Sequence, residues 1–296
     1  MLSRVLRGLR APPTSLAPRA APLANLDQAQ RAVGHDQQQP GRHNVAGRPA
    51  AQDGAQHAAP LHHAALLDLR DVVVRRGDRT ILDVPALAVW PREVLVVVGA
   101  NGAGKSTLLQ VMALLLAPDM GEVRFRGEVV DARRDPVAVR RRMAVVFQEP
   151  LLFDTSVFEN VASGLRLRGV ARAAVRARVE TWLDRLGIAA LAGRAARTLS
   201  AGEARRASLA RALVLEPELL LLDEPFSALD YPTRQALLAE LPPLLASART
   251  TAVLVTHDPI EAQAFATRAM ALQAGRVVAA GAVRDVLVAA GLAPPL

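Results

Sequence analysis

From Leu66 onward the chain alternates in ways that name its elements. Leu66 to Val74 (LLDLRDVVV) predicts a strand, Gly77-Asp78 a turn, and Thr80 to Val89 a second strand in which Pro85 marks an edge or a bulge. Together they form a small antiparallel β layer. The run Val94 to Val98 is apolar throughout and ends at Gly99, which suits a strand covered on both faces, and Ser106 to Leu116 has helical length before Pro118 stops it. Met143 to Phe147 is a further strand. Residues 157 to 214 carry Ala, Leu and Arg at helical spacing, broken at Gly164, Gly169, Gly187 and Gly193, and predict a helical insert spanning about 150–214. A strand over 219–223, a helix over 232–246, a strand over 251–256, a helix from Pro259 and a hairpin (ALQAG, RVVAAG) complete the order. Alternating strands and helices give an α/β fold with a mostly parallel sheet and flanking helices. No internal repeat is visible.

Residues 1–64 show neither period and are rich in Ala, Pro, Gln and His, so the sequence predicts a disordered extension there and one folded domain over 65–296. The Arg-rich, acid-free start through Leu26 reads as a transit peptide, a tail or a start assigned too far upstream. The charge follows the same boundary. The chain carries +8, but residues 1–64 hold seven Arg against Asp27, Asp36 and Asp53, which leaves only +4 for the folded body. That balance, with six Phe, two Trp and one Tyr, argues against a nucleic-acid surface of basic residues and stacked aromatics. The arginines at 133, 134 and 140–142 read as a solvated face. There is no Cys, which excludes disulfides and zinc–thiolate sites. The longest apolar runs, around Val94–Val98 and Leu108–Ala117, stop short of the ~18 residues that a membrane-spanning helix needs.

Two singletons stand out in the body: Lys105 is the only lysine of the chain, and His257 is the only histidine after residue 64. Lys105 lies in Gly99-Ala100-Asn101-Gly102-Ala103-Gly104-Lys105-Ser106-Thr107, a phosphate loop of the form G-x-x-x-x-G-K-[ST] between a buried strand and a helix. Glycines let backbone N–H groups turn inward around phosphates, and the helix N-terminus adds positive potential. Lys105 then reaches the β and γ phosphates, and the Ser106 hydroxyl ligates Mg²⁺. Asp223 and Glu224 end an apolar strand, at the edge where parallel sheets bind ligands. Asp223 is placed to hold the metal through water, and Glu224 to polarise an attacking water. The fold is thus a phosphate-loop NTPase core with an added β layer and helical insert.

With these motifs the chain resembles the nucleotide-binding subunit of an ATP-binding cassette (ABC) transporter from about Leu66 to Gly281. The resemblance identifies Leu199-Ser200-Ala201-Gly202-Glu203 as the signature motif, which in such cassettes holds the γ-phosphate of ATP bound by a second subunit. Ala201 departs from the family's glycine. The resemblance also implies that Gln148 is the Q-loop residue near Mg²⁺, that Asp230 in Ser227-Ala-Leu-Asp belongs to the D-loop facing the partner, and that His257 hydrogen-bonds the γ-phosphate. Where the family stacks an aromatic on adenine, this chain has Arg75-Arg76-Gly77: either Arg76 stacks its guanidinium plane instead, or both arginines are solvated and the base is held loosely. Leu151, Leu152, Phe153 and Phe158 are either core or the groove for a permease's coupling helix.

The implied function is ATP hydrolysis by a head-to-tail homodimer closing on two ATP molecules with Mg²⁺. That cycle drives separate transmembrane permease subunits, and indirectly a substrate-binding protein, from the cytoplasmic face of the membrane. The stretch from Gln148 to Gly169 is most similar to tungstate and molybdate importers, which suggests import of an oxyanion. The alternative is a soluble cassette ATPase of DNA repair or chromosome maintenance. That class places coiled coils or zinc modules between the two motifs, whereas only 94 positions separate Lys105 from Leu199 here. A non-hydrolysing regulatory cassette would need damage at Lys105, Glu224 or His257, and all three are intact.

Overall fold

A computed structural model describes residues 64–134 and 136–294. The disordered extension expected over residues 1–64 falls outside the described residues, Ala64 excepted. The chain runs β1 (Leu67–Arg76), β2 (Arg79–Val89), β3 (Val94–Val98), α1 (Lys105–Met112), β4 (Met120–Phe125), β5 (Glu128–Val129), α2 (Val137–Arg140) and β6 (Met143–Val146). The helical insert follows as α3 (Val157–Leu167), α4 (Arg172–Arg185) and α5 (Ala201–Leu213). Then come β7 (Leu219–Asp223), α6 (Tyr231–Ser247), β8 (Thr251–Thr256), α7 (Pro259–Phe265), β9 (Arg268–Gln273), β10 (Arg276–Gly281) and α8 (Val283–Ala289).

The described strands make one ten-stranded sheet in the order β5-β4-β1-β2-β10-β9-β3-β8-β7-β6. From β9 to β6 the neighbours pair in parallel, as expected for an α/β core. The antiparallel layer of β1, β2, β4 and β5 is continuous with that core through a single bridge, Arg276 opposite Asp83 on β2. Pro85 lies beyond that bridge, on a stretch of β2 that β10 does not pair, where a missing N–H costs no ladder bond.

The unbroken apolar runs have a direct cause. On β7, Leu219 and Leu221 pack with Leu108, Leu109 and Met112 of α1, while Leu220 and Leu222 face the core shared with α3, α4 and α5. Both faces are covered, so alternation disappears. The first of these cores also takes in Leu67, Leu69, Val72, Val74, Leu82 and Val84, so α1 is sandwiched between the β layer and the parallel core.

Three departures from the sequence pattern are physical. Helix α1 ends at Met112, four residues before the predicted Leu116, because Leu114 turns left-handed (φ 58°) and Leu115 N–H closes back on Gln110 O at 2.9 Å. That is a glycine-type helix stop made with leucine, at a cost of about 1–2 kcal/mol. Strands β4 and β5 and the one-turn helix α2 fill the stretch between Pro118 and Met143, for which the sequence pattern named no element. Helix α8 lies beyond Gly281, where the pattern ran out; Val286 and Leu287 bury it against the core, but seven residues are too few for a periodic signal.

Candidate active site

Strand β3 delivers the chain to Gly99, where a Cβ would sit 2.3 Å from Leu272 O of β9. Gly102 and Gly104 take left-handed backbone (φ 80° and 99°) that lets the loop fold over the start of α1. The loop is braced from outside: Gly275, in the turn between β9 and β10, donates its N–H to Ala103 O at 2.9 Å. Gly275 is itself obligatory, since its φ is +81° and a Cβ would meet Ile81 O at 2.3 Å.

Helix α1 begins without a capping side chain and without an acidic residue in its first turn. The N–H groups of Lys105, Ser106 and Thr107 therefore find no acceptor among the described residues, an arrangement that suits an anion. Lys105 is buried, and its ammonium donates to Gly99 O (2.9 Å) and Ala100 O (3.1 Å). Glu224 Oε1 lies 3.6 Å from Lys105 Nζ.

Strand β7 ends at Asp223, whose Oδ1 accepts the Ser106 hydroxyl at 3.2 Å. Burial, with the neighbouring Glu224 charge adding to it, holds the Asp223 carboxyl above the usual carboxylate range, against the pull of Ser106 and Lys105. A cation here would relieve that destabilised charge. Glu224 has left-handed backbone (φ 42°), its N–H donates to Val255 O of β8 at 3.0 Å, and its carboxylate lies 3.3 Å from His257 Nδ1. Strained backbone of this kind persists where the surroundings hold it, and it aims the carboxylate between the lysine and the histidine.

The structure thus brings Lys105, Ser106, Asp223, Glu224 and His257 into one cluster. The donors fit ATP and Mg²⁺: open helix N–H groups and a lysine for phosphates, and a hydroxyl with one carboxylate for a hard cation that takes its other ligands from phosphate and water. No group of three or more His, Cys, Asp or Glu among the described residues forms a metal cage of its own.

Other expected site residues lie outside this cluster. Gln148 is exposed, and no contact ties its amide to Ser106 or Asp223. Its backbone is held from α5: Arg205 donates to Phe147 O (2.7 Å) and to Gln148 O, and Arg211 donates to Pro150 O (2.9 Å) and Leu151 O (2.8 Å). Of the four apolar residues that follow, Leu152 and Phe158 pack against the core, whereas Leu151 and Phe153 are 58% and 60% exposed. Arg76 is exposed beside the β1–β2 turn. Ile81, shortly beyond that turn, brings its carbonyl 3.0 Å from the Cβ position of Gly104.

In the signature segment Ser200 caps α5 in a reciprocal box: its Oγ accepts Glu203 N–H at 3.3 Å, and Glu203 Oε2 accepts Ser200 N–H at 2.7 Å. The Ser200 N–H and hydroxyl, with Arg194 beyond, hold Glu203 below the usual carboxylate range. Leu199 is half-buried, Ala201 is exposed and Gly202 is buried, where a Cβ would lie 2.5 Å from Thr233 Cγ2. Thr233 in turn donates its N–H and hydroxyl to Asp230, the N-cap of α6, at 3.0 and 2.9 Å. No hydrogen bond or ion pair joins either segment to the phosphate loop among the described residues.

One prediction follows from Gly202. Gly202→Ala is expected to displace the start of α5 from α6 and to slow steady-state ATP hydrolysis about tenfold, with ATP affinity within twofold of the parent. Assaying both quantities on one preparation checks it.

Arg205, Arg211 and Gly275 were not found from sequence. Arg205 and Arg211 were not singled out, although with Ser208 they recur three apart on one face of α5. Gly275 in Ala-Gly-Arg showed only a hairpin turn.

A family model described as ABC transporter matches residues 82–227. The Fe(3+) ions import ATP-binding protein of Streptomyces avermitilis is 40% identical over 222 residues, 75% of this chain and 64% of that protein. The molybdenum import ATP-binding protein of Mycobacterium tuberculosis is 41% identical over 231 residues, 75% of this chain and 61% of that one. The intermembrane phospholipid transport system ATP-binding protein of Escherichia coli is 38% identical over 225 residues, 75% of this chain and 84% of that one. Among solved structures, cbiO1 of Clostridium perfringens, part of the ABC transporter complex cbiONQ, matches with a TM-score of 0.70 and 28% identity, covering 76% of this chain and 92% of that one. The chain spans less than two thirds of the length of the two metal-import relatives.

Proposed function

The chain belongs to the ABC transporter family of ATP-binding proteins, and from that premise we propose that it hydrolyses ATP with Mg²⁺ as one of two facing copies, to drive a separate membrane permease. The observation that carries the reading is the uncapped N-terminus of α1, with the chain's single lysine beside a Glu224–His257 pair.

In this reading Lys105 and the N–H groups of residues 105–107 bind the ATP phosphates. Ser106, Asp223 and Gln148 would hold Mg²⁺, which when bound would neutralise phosphate charge. Glu224 orients the attacking water and accepts its proton as the new oxygen–phosphorus bond forms and the bond to the ADP oxygen breaks. His257 donates to a γ-phosphate oxygen. Ser200 and the N-terminus of α5 close on the γ-phosphate held by the other copy, with Asp230 at the same interface, which accounts for their lying apart from the phosphate loop within one chain. Arg76, exposed beside the β1–β2 turn, would stack its guanidinium plane on the adenine.

No described helix is long and apolar enough to cross a membrane, and in this reading the permease is a separate partner. Exposed Leu151 and Phe153 offer it an apolar contact. The proposed solute is an imported oxyanion such as molybdate or tungstate, with a substrate-binding protein delivering it. The molybdenum-import relative supports that reading; the iron-import and phospholipid relatives show that the ATPase sequence alone does not single it out. The test is purification of Glu224→Gln protein from its native membrane with ATP present: a multi-span permease is the expected companion, and recovery of DNA or soluble protein alone overturns the reading.

A second result is expected from the lysine count. MgATP should protect Lys105 from an amine-reactive probe, read by mass spectrometry of its peptide; labelling unchanged by saturating MgATP contradicts phosphate binding at this loop.

A further inference from the structure

The first turn of α6 touches three separate parts of the molecule. Asp230 caps it, Thr233 packs on Gly202 of the signature segment, and Arg234 reaches the turn that carries His257. Arg234 Nη2 donates to Asp258 and, at 3.0 Å, to Glu261 Oε1. The Thr256 hydroxyl donates to Glu261 Oε2 and accepts Asp258 N–H at 3.0 Å. Asp258 Oδ1 then caps α7 by accepting the N–H groups of Ile260 (2.7 Å) and Glu261 (3.3 Å).

These bonds close a ring, Thr256–Glu261–Arg234–Asp258, that holds the residues on both sides of His257. Thr256 and Glu261 are buried, at 1% and 5% exposure. The His257 side chain is 54% exposed, and Glu224 is the one described side chain within salt-bridge reach of it. Its position is therefore set by its backbone, and its backbone by the ring. Holding Arg234 here has a cost, since its Nε is buried without an acceptor although the side chain as a whole is 24% exposed. A mere surface ion pair would not call for that.

We propose that Arg234 is a positioning residue for His257, tying that histidine's turn to the α6 turn that contacts the signature segment and carries Asp230. The proposal rests on the ATPase reading above. It makes a displacement at the interface end of α6 a displacement of the γ-phosphate ligand, so that closure of two copies and completion of the site become one event. Arg234 touches no phosphate; it acts through Asp258 and Glu261 on the peptide between Thr256 and Asp258.

The experiment uses the full chain with Arg234→Met and Arg234→Lys, each alone and on a His257→Gln background. Single-turnover ATP hydrolysis of Arg234→Met is expected to fall about 10- to 100-fold, as for misplacement of a reacting group, with the dissociation constant for ATP within twofold. On the His257→Gln background the same substitution should add no further loss, because both act through one imidazole. Equal losses in the two backgrounds, or no loss in either, overturn the proposal. The His257 ring NMR resonances, assigned by their absence in His257→Gln, should move in Arg234→Met without nucleotide; unmoved resonances also overturn it. If Arg234→Met does not fold, Arg234→Lys, which keeps the charge but lacks the reach of Nη2 to the two carboxylates, carries the same comparison. A wild-type chain that hydrolyses no ATP refutes the functional reading instead, and the ring resonances still decide the positioning.

Discussion

Glu224→Gln is expected to lower MgATP hydrolysis about 10²- to 10⁴-fold while ATP still binds, the range associated with loss of a positioned general base. The amide matches the carboxylate in shape, so the left-handed turn at residue 224, its N–H bond to Val255 O and its place beside His257 should survive. What changes is charge. The carboxylate oxygen 3.6 Å from Lys105 Nζ is an anion facing the position proposed for phosphate, and its removal leaves the ammonium freer to pair with phosphate. ATP affinity should therefore stay equal or rise, and two copies should remain closed on unhydrolysed nucleotide. Single-turnover hydrolysis, equilibrium binding of ATP and size-exclusion chromatography with light scattering read these three effects separately. Unchanged hydrolysis would remove Glu224 from its assigned role; loss of ATP binding would show that the variant had disturbed the loop rather than the chemistry.

Much of this site was legible because its residues are local in sequence. Gly99 to Thr107 lie on one turn, Asp223 and Glu224 end a strand whose four leucines declare burial on both faces, and His257 follows a strand of the same kind. Their assembly follows from the parallel order β3-β8-β7, which places those three strand ends side by side. The illegible parts are contacts between distant segments made by ordinary residues. Arg205 and Arg234 read as two arginines among many until the fold shows one gripping the backbone at Phe147 and Gln148 and the other bridging Asp258 and Glu261. Gly202 reads as a motif letter, but within one chain its demand is set by Thr233, 31 positions on. The early end of α1 depends on a left-handed leucine, a conformation that the residue type argues against and only tertiary packing selects.

Lys105→Ala tests the same site from the ligand's side and is expected to abolish measurable ATP binding at concentrations that saturate the parent. Charge-assisted hydrogen bonds contribute about 1.5–3 kcal/mol each, so two of them to phosphate correspond to roughly 10²- to 10⁴-fold in affinity. No other lysine exists to substitute, and the arginines, 35 of the 36 basic residues, include none in the phosphate loop. The loss also reaches the neighbours. Lys105 opposes the burial that raises Asp223, so without it that carboxyl moves further above the usual range and Glu224 keeps only His257 nearby. Removing the cation thus takes away the phosphate clamp, whereas Glu224→Gln leaves it in place. The pair of variants separates binding from chemistry by opposite outcomes, nucleotide lost in one and retained unhydrolysed in the other. Isothermal titration with MgATP on folded samples, with folding checked by circular dichroism, decides between them. Lys105→Ala protein that binds MgATP with parental affinity would contradict the phosphate loop as the nucleotide site.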